Sequence, residues 1–246
     1  MAAGLLVVGV CVPAAAHADT NDRFSKTVPL APGKPIRIEA TVADLTIVGS
    51  DRTDLAVEIV RRAPSPGDLA KYPVVVDDTP SALRIIVNQA DDGRDPTLRT
   101  DISIAGPAAA VFEAIRVFEG HVRLTNVKGA CDVDLRRGAI DAAGVGGRVR
   151  LEAGIGSLAV RQAELTPGGM MRLRVFNGPL RVRFTRPPAN ARILAVTFNG
   201  SITSDIPLTM KDKFGPRFGE TTIGSGDPVM SIDVVKGDIT ISVDAK

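Results

Sequence analysis

Residues 120–156 read GHVRLTNVKGACDVDLRRGAIDAAGVGGRVRLEAGIG, with a glycine at every ninth position. Between the glycines run short segments in which apolar and polar residues alternate, such as Val122 and Leu124, or Val149 and Leu151. Alternation with a period of two is typical of a half-buried β-strand, and glycine allows the positive φ angles that tight corners need. Short strands between regular corners predict a β-solenoid-like stack.

Two tripeptide motifs continue this pattern toward the end of the chain. Phe176-Asn177-Gly178 recurs as Phe198-Asn199-Gly200, and Val127-Lys128-Gly129 recurs as Val235-Lys236-Gly237. Asn-Gly is also a strong signal of a two-residue hairpin turn. An antiparallel meander therefore stays open as the alternative to the stack.

The preceding part of the chain also alternates, from residue 36 onward. Strands are predicted at residues 36–40, 45–47, 55–59, 82–87 and 101–104, with a single helical turn at 66–71 and a strand favoured within 107–118. The fold class is therefore all-β: an N-terminal β-strand region, residues 19–119, continues into a glycine-punctuated β-repeat region, residues 120–246. We expect the two regions to form one continuous domain.

The first eighteen residues contain no charged side chain. An apolar run over 5–12 is followed by Ala16-His17-Ala18, which has the small-residue pattern of a cleavage site. We predict a signal peptide at residues 1–18 and an exported protein, periplasmic or at the cell surface; a buried N-terminal element is the alternative. No run of apolar residues is long enough to predict a transmembrane span.

The repeats carry a resemblance to a known family. The segments 120–129 and 198–204, with the tail segments 218–226 and 232–241, resemble the bacterial "putative adhesin" family of exported β-repeat proteins. The resemblance covers roughly residues 30 to 244. It implies a stack of short strands, and it implies no activity, because the family shares no catalytic residues that could be carried over.

Few residues are suited to metal or nucleophilic chemistry. Without residues 1–18, Cys131 and His121 are the only cysteine and histidine, too few for a four-ligand zinc site. The chain has no G-x-S-x-G motif to support a Ser-His-Asp set and no phosphate-binding GxxxxGK[ST] motif. We predict no metal and no cofactor, an outward histidine at a corner, and a cysteine that is buried with Val133 and Leu135.

Two acidic clusters are candidate sites. Residues 91–95 read DDGRD, which indicates an Asx-rich turn better than a calcium loop. Asp132 and Asp134 share one strand face, with Asp141 in the next segment, and paired carboxylates could serve a glycosidase or hold Ca²⁺. The chain lacks tryptophan for a sugar platform, so a solvated strand face and a non-enzyme are the favoured interpretation.

The strongest local bias is basic. Nine arginines and only two acidic residues fall between residues 148 and 192, in a chain of net charge +2. Alternation should turn these arginines outward, and such a face attracts polyanions. The candidate ligand-binding residues are Arg148, Arg150, Arg161, Arg172, Arg174, Arg181 and Arg183, with an anionic envelope polymer or lipid headgroup as partner. An ordinary solvated face is the alternative, and nucleic acid is disfavoured because stacking aromatics are few.

These observations predict a non-enzymatic exported β-solenoid that acts as a cell-envelope scaffold or an adhesin-like binding module. Two alternatives stay open. One is a carbohydrate-active enzyme on a β-helix that uses the acidic residues. The other is an envelope-stress regulatory partner that binds another envelope protein along a strand edge.

Overall fold

The computed structural model describes residues 20–88, 97–211 and 215–244. The proposed signal peptide and the acidic segment 91–95 lie outside the described residues. Seventeen strands among the described residues belong to one hydrogen-bonded sheet. The predicted all-β class is confirmed, and no helix in the described part of the chain is long and apolar enough to cross a membrane.

The strands range in length from three to sixteen residues. In chain order they are β1 (Thr20–Pro29), β2 (Pro35–Ser50), β3 (Asp54–Ala63), α1 (Pro66–Ala70), β4 (Val74–Asp78), β5 (Leu83–Val87), β6 (Arg99–Pro107), β7 (Val111–Thr125), β8 (Cys131–Ala143), β9 (Arg148–Arg161), β10 (Met170–Asn177), β11 (Leu180–Phe184), β12 (Ala191–Asn199), β13 (Ile202–Ser204), β14 (Thr209–Lys211), β15 (Arg217–Ile223), β16 (Val229–Lys236) and β17 (Ile239–Val243).

Successive strands of the repeat region lie side by side in parallel and in register. β7 pairs with β8, β8 with β9, and β9 with both β10 and β11. Antiparallel pairing in this half is confined, among the described residues, to β15 with β12 and β14. The parallel register therefore contradicts the meander and agrees with a stack.

A column of glycines bends the long strands without ending them. Gly120, Gly138 and Gly156 face one another in register, each with φ between +133° and +146°. Gly178 continues the column at the break between β10 and β11. We call one bent strand with its closing turn a coil, and the bend divides each coil into a first limb before the glycine and a second limb after it. Because the strand continues through the bend, β7, β8 and β9 are longer than the glycine spacing predicts.

The second set of glycines lies in the turns that close each coil. Gly129 packs against the backbone of Ala110, and Gly147 against that of Lys128, so these residues form their own column. Along the chain, a glycine of the bend column is followed by a glycine of the turn column, and so on in alternation. The structural repeat is therefore about two glycine intervals long, rather than the single nine-residue interval of the sequence.

The core lies between the two limbs and the closing turns. On the first limb Val133, Leu151 and Leu173 stack in register and are fully buried. Inward residues of the second limb join the same apolar cluster, as does Val145 from a closing turn. Cys131 is buried beside Val133, as its sequence parity predicted; burial raises the pKa of its thiol to about 12.

The strand order departs from chain order at both ends. The last two strands, β16 and β17, lie between β10–β11 and β12–β13 and pair in parallel with both neighbours. In the N-terminal half, β2 likewise lies between β7 on one edge and β5 and β6 on the other. The sequence pattern predicts the strands but not these insertions.

Local predictions in the N-terminal half are confirmed. The helical turn is α1, where the Ser65 hydroxyl accepts a hydrogen bond from the Asp68 backbone N–H as an N-cap. Most of the ambiguous segment 107–118 is a strand, since residues 111–118 form the start of β7, whereas residues 108–110 form the turn that precedes it. Two antiparallel strands, β1 and β4, were not predicted; they pair with β3 and β5 respectively.

Candidate functional site

The seven candidate arginines divide between the two limbs. Their strands alternate buried and exposed residues, so the arginine side chains point outward while their neighbours fill the core. The glycine bend separates the two groups. Arg148, Arg150, Arg172 and Arg174 lie on the first limb, and Arg161, Arg181 and Arg183 on the second.

Like charges lie side by side on adjacent strands. Arg150 faces Arg172 across the β9–β10 pair, and Arg161 faces Arg183 across the β9–β11 pair. Directly opposed like charges in a sheet are destabilising unless an acidic group or a ligand compensates them. The surroundings of each arginine therefore decide which positions are available to a ligand.

Three of the seven arginines have acidic partners. Arg150 pairs with Asp132 at 3.3 Å and with Glu152 at 2.7 Å. Partial burial acts to lower the pKa of Arg150, but the charges of Asp132 and Glu152 outweigh it and raise that pKa. The other two lie on the second limb, where Arg161 approaches Asp141 and Arg183 contacts Asp244.

Four arginines have no acidic oxygen within 4.0 Å among the described residues. They are Arg148, Arg172, Arg174 and Arg181. Arg174 lies level with Glu152 and Asp233, but Glu152 binds Arg150 and Asp233 accepts a hydrogen bond from Ser231. Arg172 lies between Arg150 and Ser231, with no carboxylate at its level on either neighbouring strand.

A groove opens between these first-limb arginines at the start of their strands. Its volume is about 290 Å³, and we call it the arginine groove. The basic groups on its rim are Arg148, Arg150 and Arg172. The carboxylates of Glu113 and Asp132 also line it and are paired with Arg37 and Arg150 respectively. Its apolar lining includes the exposed Met170 and the buried Phe112. This volume lies near the lower end of the usual range for small-molecule sites, about 300–1,000 Å³, so the groove suits a single charged group with a short apolar part.

The apolar lining was not predicted from the sequence. Met170 is exposed on the strand that carries Arg172, and Phe112 lies at the register shift at the start of β7. Alternation predicts that Met170 points outward with Arg172. No pattern within one strand predicts that Phe112, from a coil two strands away, lines the same groove.

The candidate carboxylates do not converge on one site. Asp132 pairs with Arg116 at 2.9 Å and with Arg150 on the outer face of the first limb. Asp134 lies on the same face of β8. The expectation that Asp141 lies in the next strand is wrong: it lies further along β8, beyond the bend at Gly138, because the strand continues through that glycine.

His121 is held in a polar cluster on the second limb. Its Nε2 lies 2.7 Å from Asp141 Oδ2, and its Nδ1 lies 2.8 Å from an Arg123 guanidinium nitrogen. Its backbone N–H donates to Asp44. The side chain is half-buried rather than a bare corner group, and among the described residues no serine hydroxyl bonds to it. In the same part of the chain no group of three His, Cys, Asp or Glu side chains is arranged to hold a metal ion.

Comparisons with known proteins bear on the fold. No protein-family model and no curated protein matches this sequence. A solved structure of a putative cell adhesion protein from Clostridium sporogenes is 10% identical, with a TM-score of 0.54, and the match covers 92% of this chain and 100% of that one. A putative adhesin from Bacteroides fragilis is 14% identical over 91% of this chain and 97% of that one, with a TM-score of 0.24.

At these identities the likeness concerns the fold alone, and the lower TM-score adds no support to it. The Clostridium sporogenes structure spans nearly all of this chain, including both limbs of the stack. The resemblance to putative adhesins that the glycine repeats predicted is therefore confirmed for the fold: this chain folds like a putative cell adhesion protein.

Proposed function

We propose that this protein is a non-enzymatic, exported binding module whose arginine groove takes a phosphate or carboxylate group of an anionic envelope polymer or lipid headgroup. The observation that carries the proposal is the arrangement of Arg148 and Arg172. Both lack an acidic partner among the described residues, and both flank a groove next to the already paired Arg150.

An anion in this groove would relieve a repulsion that the fold itself creates. The in-register pairing fixes the backbones of Arg150 and Arg172 side by side on the outer face, which keeps both positive charges near the groove. A guanidinium donates two parallel hydrogen bonds to a carboxylate or phosphate, a geometry that an ammonium group does not offer. The exposed Met170 side chain would contact the carbon skeleton next to the bound anion.

A repeating polyanion would gain further from the second limb. Arg181 adds another cation without an acidic partner among the described residues, beyond the bend from the groove. Binding through several separated charges is fast, broad and salt-dependent. It weakens as the Debye length shrinks from about 10 Å at 0.1 M salt to about 3 Å at 1 M.

The proposal of a non-enzyme rests on how the acidic residues are used. Asp132 is engaged by two arginines and Asp141 by His121, and the bend separates the two carboxylates. An acid–base pair would require both on one substrate. The proposal of export rests on the pattern of residues 1–18, and the solved structure that this fold resembles is that of a putative cell adhesion protein.

The test compares two double variants of equal charge. Arg148→Gln/Arg172→Gln removes the two cations of the groove that lack acidic partners. Arg84→Gln/Arg217→Gln removes two exposed arginines from β5 and β15, which likewise have no acidic oxygen within 4.0 Å among the described residues.

Binding to soluble polyphosphate and to an acidic polysaccharide is measured by calorimetry at low and high salt. We expect the groove variant to lose at least about tenfold in affinity, because each lost charged hydrogen bond is worth about 1.5–3 kcal/mol. The control variant should bind nearly as the wild type does. Equal losses in both variants, or no binding at low salt, would overturn the proposal.

A further inference from the structure

The repeated Phe-Asn-Gly motif places two phenylalanines on the outer surface. Phe176 and Phe198 are 60% and 59% exposed, although phenylalanine is usually buried. Each occupies the same position, two residues before the glycine at the bend of its coil. The sequence repeat therefore repeats a surface feature as well as a corner.

The inserted strand β16 joins the two motifs into one row. Asn177 pairs with Lys236, and Lys236 with Asn199, so the residues that precede them, Phe176, Val235 and Phe198, lie level on adjacent strands. We call these three residues the phenylalanine row. With β16 between them, the two phenylalanine backbones lie about 10 Å apart. Ile155, 50% exposed on β9, lies at the end of the row beside Asn177.

The row has a rigid base. Gly178 and Gly237 lie at the bend, and a Cβ on Gly237 would lie 2.1 Å from the carbonyl oxygen of Gly178. Thr197, buried immediately before Phe198, donates a hydrogen bond from its hydroxyl to the Gly237 carbonyl. The strands beneath the rings are therefore in close contact, and the rings cannot turn into a core that is already filled.

Cations border the row. Arg172 and Arg174 precede Phe176 on the same exposed face of β10, and Lys236 is exposed next to Val235. An aligned set of exposed apolar side chains marks an interaction site, whereas singly scattered ones do not. An apolar edge bordered by Arg and Lys is the pattern of a protein that lies on an anionic membrane surface.

We propose that the phenylalanine row inserts into the interface of an anionic lipid bilayer. The rings of Phe176 and Phe198 enter the boundary between headgroups and acyl chains, while Arg172 and Arg174 contact lipid phosphates. This inference rests on the proposed function, because it takes the anion of the arginine groove to be a lipid headgroup. It goes beyond that function in assigning the apolar residues and the orientation of the protein on the bilayer.

The chain contains no tryptophan, so an introduced indole reports on one position only. Phe176→Trp and Phe198→Trp place the probe in the row, and Met210→Trp places it at another exposed apolar site, on β14. The probes are vesicles of phosphatidylcholine, with or without phosphatidylglycerol, and vesicles of brominated lipid. We expect a blue shift and bromine quenching for both row positions with anionic vesicles only, and neither for Met210→Trp.

Affinity is measured with Phe176→Ser/Phe198→Ser and with Arg172→Gln/Arg174→Gln by vesicle co-sedimentation. Each lost ring should weaken vesicle binding about tenfold, because about half of its apolar surface leaves water on insertion. The serine variant should keep its affinity for soluble polyphosphate and its melting temperature. The arginine variant should lose affinity for both anionic vesicles and polyphosphate.

The outcomes separate the two proposals. Vesicle binding unchanged by the serine substitutions, or indole signals equal at all three positions, would overturn the membrane inference and leave polyanion binding intact. Vesicle binding that needs the rings but not the arginines would overturn the role of the arginines instead. A wild type that dimerises, with a monomeric serine variant, would show that a second copy covers the row and would also overturn this inference.

Discussion

The carbonyl oxygen of Gly138 occupies the space that a side chain on Gly156 would need. A Cβ built on Gly156 would lie 1.7 Å from that oxygen, and the same approach recurs from Gly120 to Gly138 at 1.8 Å. The glycines are thus required by the closeness of the coils as well as by their positive φ angles. Each coil is held against the next at the bend, which fixes the register that aligns the arginines.

The first prediction concerns the cost of adding a side chain where two coils touch. Gly156→Ala should destabilise the protein by at least about 3 kcal/mol, because the coils must move apart. Gly168→Ala is the control without crowding: nothing lies within 4 Å of its added Cβ, and its φ of +71° strains an alanine less than the +143° of Gly156 does. It should cost only about 1–2 kcal/mol of backbone strain. Urea unfolding of both variants measures the difference, and equal losses would refute the close approach.

The second prediction concerns the direction of alternate side chains on the first limb. Leu151 is 0% exposed in the stacked core, so Leu151→Asp buries a carboxylate and should cost about 3 kcal/mol or more. Arg172, level with Arg150 on the outer face, tolerates Arg172→Asp within about 1 kcal/mol. Chemical denaturation measures the free energy of unfolding of both variants. A larger loss of stability in the Arg172 variant than in the Leu151 variant would mean that the inner and outer faces of the first limb are assigned wrongly.

The third prediction is an acid-dependent loss of stability at the C-terminal bend. The side-chain hydroxyl of Ser201 and then its backbone N–H donate to Asp238, and these bonds lower the carboxyl pKa of Asp238. A lowered folded-state pKa means that the stabilisation is present above the unfolded-state pKa of about 3.9 and is lost as the pH falls through the folded value.

The variant Asp238→Asn should therefore be less stable than the wild type at pH 7, and the two should converge as the pH falls through the lowered pKa of Asp238. Ser201→Ala should reduce the same pH dependence, because it removes the largest cause of the shift. Urea unfolding at several pH values checks both variants. A gap between wild type and Asp238→Asn that is constant with pH would contradict the assignment.

The fourth prediction follows from the inserted terminal strands. A chain that ends at Pro228 lacks β16 and β17, and so leaves β12 and β13 without their parallel partners. We expect rapid proteolysis within residues 191–223 while β7 to β9, which pair with one another, remain protected. Limited proteolysis with mass spectrometry measures this. Full protection of residues 191–223 would show that these strands do not depend on the insertion.

Local sequence predicts the strands well because the alternation of apolar and polar residues within one strand shows which of its side chains are buried. Alternation at Val133 and Leu135 predicts the inward face, and the same parity predicts the buried Cys131. The glycine spacing predicts the corners because a corner needs a local backbone conformation. These features depend on residues that are close along the chain.

The candidate site depends on contacts that the chain does not encode locally. Alternation predicts that Arg150 and Arg172 both face outward, but only the structure shows that they are neighbours and that Asp132 pairs with Arg150 and not with Arg172. The row of Phe176 and Phe198 requires β16 between their strands. The repeated Phe-Asn-Gly motif is the sequence signal of this row, because its glycine explains the turn and its phenylalanine does not.

The most direct test of the central claim observes the arginines themselves. In a nitrogen-15-labelled protein, each Nε–Hε group gives its own resonance, and soluble polyphosphate is titrated at low salt. We predict that the resonances of Arg148 and Arg172 shift first and return at high salt, while those of Arg23 and Arg52, paired with Glu58 and Asp54, stay in place. Shifts of similar size for all four arginines, or none at Arg148 and Arg172, would contradict the arginine groove as the binding site.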